Sequence, residues 1–399
     1  MARVCMVAFT RYATDPRVRR EAEALVDRGD QVDVVCLHAP AGKSSISGVR
    51  LYQVWVPRYR GSSTLAYVAQ YAVFFVLATL AISALHLRRR YDVVQAHTMP
   101  DSVVFTAVLA KRIGAKVLLD VHDLTPELYA SKFGLSESHR AIRLLKWIEK
   151  RSVAFADGTI AVHEPQLDAL VSHGNPREKF EILLNVPDPK FFSREARTRH
   201  PSPNSAFKLV YHGTIARRHG LETAIRAVAR ARAEIGEIEF LILGAGDDVP
   251  RIERLVRELG LEEIVQLPKT LVPIEKLVPL IADADLGVVP ILSDDFTKYM
   301  LPVKLLEYVA LGIPVVCSET ETIRRYFDDT MLAFFRPGDP AALAERLVEL
   351  HRDAHAREEL AARAKAFTAS NSWAAQKRRY YGVIDALTGT HRSSAPGSY

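Results

Sequence analysis

The sequence predicts an α/β protein built from two doubly wound, parallel-sheet domains. Apolar strand-like runs alternate with amphipathic helical stretches along both halves of the chain, the pattern of parallel strands joined by crossover helices. Between the halves lies Ser193–Ala206, a cluster of Arg, Ser, Pro and Asn that reads as a linker. The length of 399 residues exceeds one ordinary core and suits two. The expected division is therefore 1–192, a linker at 193–206, a second domain over 207–370, a last helix over 371–388 and a disordered polar tail at 389–399.

In the first half, Val4–Phe9 is a buried strand. Asp15 and Pro16 supply the N-cap and first residue of a helix that Gly29 closes. Strands follow at Val32–Leu37, Val49–Val56, Tyr91–Ala96, Lys116–Val121, Gly158–Val162 and Phe180–Leu184, with a helical run over Ser102–Ile113. The second half repeats the alternation, with strands at Lys208–His212, Glu239–Leu243, Val265–Pro268, Leu286–Val289 and Ile313–Cys317, each trailed by a helix. Ala341–Ala366 reads as one helix, and Trp373–Leu387 carries an amphipathic pattern of its own.

Composition narrows the class. With 48% hydrophobic and 25% charged residues, the chain is globular rather than disordered. Cys5, Cys36 and Cys317 all fall in apolar strand-like runs without metal-ligand spacing, as expected of buried reduced thiols. The N-terminus runs straight into a strand, with no signal-peptide pattern, so a cytoplasmic protein is expected. A net charge of +6 points to an acidic partner; charge alone leaves nucleic acid, anionic lipid and phosphorylated ligands open.

Leu65–Leu87 is almost wholly apolar and long enough to cross a bilayer. It lies between two strands of one expected sheet, and arginines flank both ends (Arg58 and Arg60, then Arg88, Arg89 and Arg90), so no orientation is encoded. A core helix and a helix partly exposed to a membrane interface fit better than a span. Ser136–Arg151 supports the interfacial option. Its basic residues Arg140, Arg143, Lys146, Lys150 and Arg151 share about 140° of a helix, with Ile142, Leu144, Leu145 and Ile148 facing the other way. A solvated charge stripe is the alternative.

The segment from Tyr299 to Ser318 carries the most chemistry. A polar loop, Ser293–Lys298, follows an apolar strand; a helix starts near Pro302 and stops at Gly312. Free amides and the dipole at such a helix start attract anions. Lys304 and Glu307, three residues apart, share a face: a cation for phosphate and a carboxylate for paired sugar hydroxyls. Gly213-Thr214 ends the first strand of the second half and leads to Arg217 and Arg218, either of which could grip a phosphate bidentately. Gly244-Ala-Gly246 lacks the third glycine of a dinucleotide fingerprint. His122 and Asp123 end a strand of the first half, where α/β folds present residues to ligand, and Asp123 could orient the His122 ring or meet an acceptor. His97 ends the preceding strand, while Glu127 fits either the ligand or a cap on the turn at Thr125. His163 and Asn185 are further candidates.

These motifs, in this order, resemble those of retaining GT-B glycosyltransferases of the large family 4 group. The match takes in Asp15-Pro-Arg-Val-Arg-Arg-Glu-Ala, Leu119-Asp-Val-His-Asp-Leu-Thr-Pro-Glu127, Tyr211-His-Gly-Thr-Ile-Ala-Arg-Arg-His-Gly220, and Leu301-Pro-Val-Lys-Leu-Leu-Glu-Tyr-Val-Ala-Leu-Gly-Ile-Pro-Val-Val316. The resemblance implies two Rossmann-like domains facing a cleft, with the last helix crossing back to the first. The second domain would hold a nucleotide diphosphate sugar and the first an acceptor. Glu307 would take the ribose, amides around Met300 and Leu301 the phosphates, and the turns at Gly244, Gly246 and Pro268 the base. His122 would approach the transferred sugar or the donor phosphate. Three positions depart from the family. Thr214 and His219 stand where an Arg and a Lys are usual, and Tyr299 stands where the sugar-facing acid is usual.

The expected reaction is retaining glycosyl transfer without a metal cofactor. The expected partners are a nucleotide diphosphate sugar, a lipid-linked or saccharide acceptor and an anionic membrane surface, with no nucleic acid. The expected place is the inner face of the cytoplasmic membrane. An epimerase or phosphorylase of the same fold, or a non-catalytic scaffold subunit, are the alternatives; Tyr299 is the best argument for the last.

Overall fold

A computed structural model describes residues 1–39, 42–56, 64–193, 195, 206–270 and 272–389. Most of the expected linker, Arg58, Arg60 and the tail beyond Gly389 lie outside the described residues. The chain forms two compact units, Met1–Asn185 with Ala374–Tyr399, and Val186–Trp373. The break falls at Asn185 and Val186, upstream of the boundary placed at 192.

The first unit holds strands β1 (Arg3–Ala8), β2 (Gln31–Leu37), β3 (Ser45–Ile46), β4 (Val49–Val54), β5 (Val93–His97), β6 (Lys116–Val121), β7 (Gly158–Ala161) and β8 (Phe180–Ile182). They pair in the order β3-β4-β2-β1-β5-β6-β7-β8, parallel except for the β3–β4 pair. Its helices are α1 (Pro16–Asp27), α2 (Thr64–Arg89), α3 (Val108–Arg112), α4 (Thr125–Phe133), α5 (Arg140–Phe155) and α6 (Glu164–Ser172). The second unit pairs β9 (Phe207–His212), β10 (Ile238–Leu243), β11 (Val265–Gln266), β12 (Leu286–Val289), β13 (Val315–Ser318) and β14 (Ala333–Phe335) in the order β11-β10-β9-β12-β13-β14, all parallel. Its helices are α7 (Leu221–Ile235), α8 (Val249–Glu258), α9 (Ile274–Ile281), α10 (Val303–Leu311), α11 (Glu321–Arg324), α12 (Pro340–Arg352) and α13 (Ala354–Ser370). The last helix, α14 (Trp373–Thr388), packs within the first unit. Both units are thus Rossmann-like, the α/β class the alternating pattern predicts.

Near-continuous Val, Ile and Leu runs make these strands buried on both faces, as parallel sheets require. One face of the first sheet packs on α1 and α14 through Val4, Met6, Val18, Leu25, Tyr380 and Ile384. Burying each such side chain contributes roughly 1.5–3 kcal/mol against leaving it in water. Polar bonds set the position of α14: Tyr380 donates to Gln95 Oε1 at 2.6 Å, and Arg28 bonds Asp385 at 2.8 Å. Asp15 caps α1 by accepting from the Val18 amide at 3.1 Å, as its spacing from Pro16 predicts.

Three local expectations need correction. Ser102–Ile113 is not one helix: Asp101–Ala107 forms a 3-10 segment before the short α3. Its β-branched Val103, Val104 and Thr106 are poor helix formers, and Thr106 Oγ1 bonds back to the Val103 carbonyl at 2.7 Å. The single helix expected over Ala341–Ala366 is broken at Asp353, which stops α12 and caps α13 by accepting from the Ala356 amide at 2.8 Å. Pro302 is the N-cap rather than the first residue of α10.

Strand order changes direction between β1 and β5 in the first sheet, and between β9 and β12 in the second. At such points the loops diverge and open a crevice at the carboxyl ends of the strands. His97 ends β5 beside this point in the first unit, and Gly213 follows β9 beside it in the second.

Candidate functional site

In the second unit, α10 begins beside the carboxyl end of β9. Pro302 offers no side-chain cap, so the first-turn amides of Val303 and Lys304 have no carbonyl of their own helix to bond. Gly213, with φ of +111°, turns the chain out of β9 directly against Lys304; a Cβ there would touch Lys304 Cε at 3.4 Å and Nζ at 3.5 Å. Lys304 Nζ sits 3.8 Å from the centroid of the Tyr211 ring. One turn on, Glu307 Oε2 lies 3.0 Å from His212 Nε2, without the alignment of a hydrogen bond. Behind them Tyr308 is fully buried, its hydroxyl accepting from the His212 amide and donating to the Val210 carbonyl.

The electrostatics of this corner are one-sided. Burial pushes the Lys304 ammonium down to about 7; Glu307 opposes the shift and Arg218 adds to it. Burial and then Lys304 push His212 down to about 3, and the same two causes do so for His219. Both imidazoles are neutral at pH 7. His219 Nδ1 donates to the Thr214 carbonyl at 2.6 Å, and the Tyr211 hydroxyl donates to the same oxygen at 2.7 Å. One departure from the family pattern, His219, therefore closes the loop on itself through the main-chain carbonyl of Thr214. Of the two arginines, Arg217 is exposed, whereas Arg218 lies close enough to disfavour the charged forms of Lys304 and His219. The buried Arg218 Nε has no hydrogen-bond partner among the described residues.

Gly244 and Gly246 have a structural explanation. The loops after β9 and β10 continue to pair, with the Gly213 amide bonding the Leu243 carbonyl at 2.9 Å and the Ile215 amide the Ala245 carbonyl at 3.0 Å. A Cβ on Gly244 would fall 2.0 Å from the Gly213 oxygen, and one on Gly246 1.9 Å from the Ile215 oxygen. Only glycine allows that approach. Pro268 is exposed, two residues past β11 on the same sheet edge. The Met300 amide is already bonded to the Thr297 carbonyl at 3.0 Å, so it is not the free donor expected. The Leu301 amide, by contrast, has no bond among the described residues. Tyr299 is partly exposed at the end of a 3-10 turn, its ring 5.2 Å from Lys298 Nζ.

In the first unit, His97 and His122 end adjacent strands and converge on Asp120. Asp120 Oδ2 lies 3.0 Å from His97 Nδ1 and 2.9 Å from His122 Nε2. From α1, Arg17 donates to both carboxylate oxygens, at 2.7 and 2.8 Å, and to the Leu183 carbonyl at 3.1 Å. Against the cost of burial, Arg17 and then His122 hold Asp120 well below the carboxylate range. Asp120 is thus ionised, and its contact with Nε2 orients the His122 ring. With Nε2 engaged, His122 presents Nδ1 on a side chain 20% exposed. Glu21 is pushed up by burial and by Asp120; it contacts Arg17 at 3.2 Å and accepts from Gln95 at 2.7 Å.

His97, Asp120 and His122 bring donor atoms within 4.8 Å of one another, a grouping that could hold a metal ion. The donor set does not favour one. Arg17 already occupies both oxygens of Asp120 and places a permanent positive charge there.

Three other candidates have partners within the fold. Glu127 pairs with His173 Nε2 at 3.1 Å, while Glu149 holds the other ring nitrogen at 3.0 Å. Although burial opposes it, hydrogen bonds to Glu127 and Glu149 raise His173 to about 9. The turn at Thr125 is held by Asp101 instead, at 3.0 Å. His163 is the N-cap of α6, accepting from the Gln166 amide at 3.0 Å. Asn185 accepts from Arg20 at 2.8 Å.

Asp120 and Arg17 were missed as site residues. A signal existed: Asp120 and His122 are two apart along a strand, hence on one face. Nothing in the sequence brings Arg17 to them.

The family model for a glycosyl transferase 4-like domain matches residues 14–185, and that for glycosyl transferases group 1 matches residues 206–353. The amylovoran biosynthesis glycosyltransferase AmsK of Erwinia amylovora is 28% identical over 183 residues, 45% of this chain and 44% of the relative. The chain spans less than half the length of this and similarly matched curated relatives. Among solved structures, sucrose-phosphate synthase from Thermosynechococcus elongatus superposes with a TM-score of 0.77 at 18% identity, over 98% of this chain and all of that one. HepE of Anabaena, solved in complex with UDP-glucose, gives 0.72 at 14% identity, over 97% and 100%. These structures have the GT-B fold, and it is the fold alone that they share with this chain. With both halves matched in order across most of its length, the chain belongs to the group 1 glycosyltransferases, the large family 4.

Proposed function

We propose that this protein transfers a sugar, with retention of configuration, from a nucleotide diphosphate sugar to an acceptor. The observation that carries the reading is the start of α10, where unbonded amides, Lys304, Arg218 and Glu307 collect around Gly213. Cations packed this closely, with their charged forms disfavoured, suit a polyanion that would relieve the repulsion. Glu307 accepts the ribose hydroxyls, and Lys304, Arg218 and the helix amides take the diphosphate. The bond from the sugar carbon to the diphosphate oxygen breaks as the bond to the acceptor oxygen forms. The acceptor proton passes to the leaving diphosphate on the same face of the sugar. Protein cations supply the leaving-group stabilisation, and the scheme requires no metal.

His122, oriented by Asp120, accepts a hydrogen bond through Nδ1 from a hydroxyl of the transferred sugar or acceptor. A role in polysaccharide assembly follows the name of AmsK. The acceptor we infer is a lipid-linked saccharide, met at the cytoplasmic face of the membrane. Hexosyl or N-acetylhexosaminyl units are both within this reading.

Calorimetry with a panel of nucleotides and nucleotide sugars tests the donor assignment, followed by release of nucleoside diphosphate with and without acceptor. One nucleotide should bind well above the others, and Lys304→Met should abolish the preference. Release that ignores the acceptor would argue against transfer, and equal weak binding of every nucleotide would remove the reading.

A further inference from the structure

The first unit exposes apolar surface that its own core does not explain. One face of α2 is fully internal: Phe74, Ala78 and Ile82 are at most 1% exposed, and the Phe9 ring meets Tyr71 and Phe74 edge-on. The helix packs on β1, β2 and β4, and its end is tied down by Arg3, which donates to the Arg89 carbonyl at 2.6 Å. The opposite face carries Val73, Val76, Leu80 and Leu87, 47–63% exposed. At 100° per residue these four fall within about 60° of the circumference and span roughly 20 Å of helix. Within Val68–Arg89 an 18-residue stretch has a mean hydropathy of 2.0 with 28% of it buried, which is an apolar helix with much of its surface outside the core.

A second exposed surface lies on α5. The inner face holds Ile142, Glu149 and Val153. Leu144, expected inside, is 56% exposed, and Trp147 is 55% exposed. Both sit among exposed Arg140, Arg143, Lys150 and Arg151, with the Arg151 guanidinium 5.4 Å from the Trp147 ring centroid. Lys146 does not belong to this set, since its ammonium lies 3.7 Å from both Glu127 and Glu137. Both α2 and α5 pack against the same 3-10 segment, Asp101–Ala107, so they flank one element of the unit.

We propose that the outer faces of α2 and α5 form one surface that seats the protein on an anionic lipid bilayer. The apolar stripe of α2 lies in the interface parallel to the membrane plane, with Leu144 and Trp147 beside it and the arginines on acidic headgroups. Charge complementarity selects this occupant. An apolar stripe bordered by arginines and an exposed tryptophan matches the headgroup boundary, where an aromatic ring is favoured and a cation finds its counter-ion. Spanning is excluded by the buried face: drawing α2 across a bilayer would strip Phe74, Ala78 and Ile82 from the sheet. The surface deepens the lipid-linked acceptor reading, but its test reads binding alone.

The experiment is flotation of the full chain with vesicles of phosphatidylcholine, with and without phosphatidylglycerol, at low and high salt. Two variants accompany it, R140Q/R143Q/R151Q and V76S/L80S, with thermal unfolding checked against wild type. Wild type should float with the anionic vesicles. The charge variant should bind at least about tenfold more weakly at low salt. The V76S/L80S variant should lose the fraction that survives high salt, where screening leaves only burial. Absence of flotation at low salt, or equal binding by all three proteins, would overturn the proposal. So would resistance to alkaline extraction from membranes, which would indicate a span. A solution dimer dissociated by V76S/L80S with vesicle binding unchanged would give the face to a second copy instead. Nucleotide binding retained by a protein that does not float would sink this surface and leave the donor site standing.

Discussion

The carboxyl ends of the two sheets hold charge in opposite ways. Around Asp120 in the first unit, each charge has a partner: Arg17 grips both oxygens, two histidines close the carboxylate, and Glu21 lies 3.2 Å from Arg17. Around Lys304 in the second unit, Arg218 lies near with Glu307 as the opposing charge, and His212 and His219 are held neutral. The first arrangement balances the Asp120 carboxylate and fixes a ring in place, although His97 Nε2 and Glu21 Oε1 find no hydrogen-bond partner among the described residues. The second lacks negative charge and is poised to receive it. A compensated cluster suits orientation, and an uncompensated one suits binding.

The sharpest test of the compensated side is to remove its centre. Asp120→Ala should cost about 3–5 kcal/mol of stability by leaving Arg17 buried without its carboxylate, read from urea unfolding. Asp120→Asn keeps the shape and should separate folding from function: if it folds yet turns over normally, orientation by Asp120 is not used. His122→Ala should leave nucleotide affinity intact and slow transfer at least ~100-fold, the lower range for positioned proton-handling groups. Unchanged turnover would return His122 to a packing role.

On the uncompensated side, Glu307→Ala should weaken nucleotide binding by about 1.5–3 kcal/mol, the worth of a hydrogen bond to a charged group. Wild-type affinity in that variant would misplace the ribose. The smallest effect is the most diagnostic of the contrast. Because Lys304 titrates near 7 without ligand, and a bound diphosphate favours its charged form, affinity should be full below pH 7. It should then fall as pH rises through 7, by at most about 1.4 kcal/mol per unit. Titration with a nucleotide sugar, whose diphosphate does not change charge in this range, isolates the effect. A pH dependence that survives in Lys304→Met would assign it to another group.

Much of the second unit's site was legible because its parts are local. Lys304 and Glu307 share a helix face by spacing, Gly312 stops that helix with a φ of +73°, and the turn at Gly213 follows its strand directly. The errors were of two kinds. Met300 and Leu301 were treated alike, although a 3-10 turn consumes one amide and spares the other. Glu127 and His163 were read from their place after strands; His163 proves to be a local N-cap, bonded to the Gln166 amide three residues on, whereas Glu127 depends on a neighbour from elsewhere in the chain. Glu127 reaches His173 across 46 positions, a pairing no window of sequence contains.

By itself the sequence determined the α/β class, the order of the strands along the chain, the caps at Asp15 and Gly312, and the family. These depend on periodicity, on turn chemistry and on residues close in the chain. Only the tertiary structure decided that Arg17 locks Asp120 from 103 residues away, that Arg218 rather than Arg217 lies by Lys304, and which faces of α2 and α5 meet solvent. The reason is physical. The period of a helix marks which residues share a face, but α2 is apolar all round, and its outward side was set by which face the sheet had room to bury.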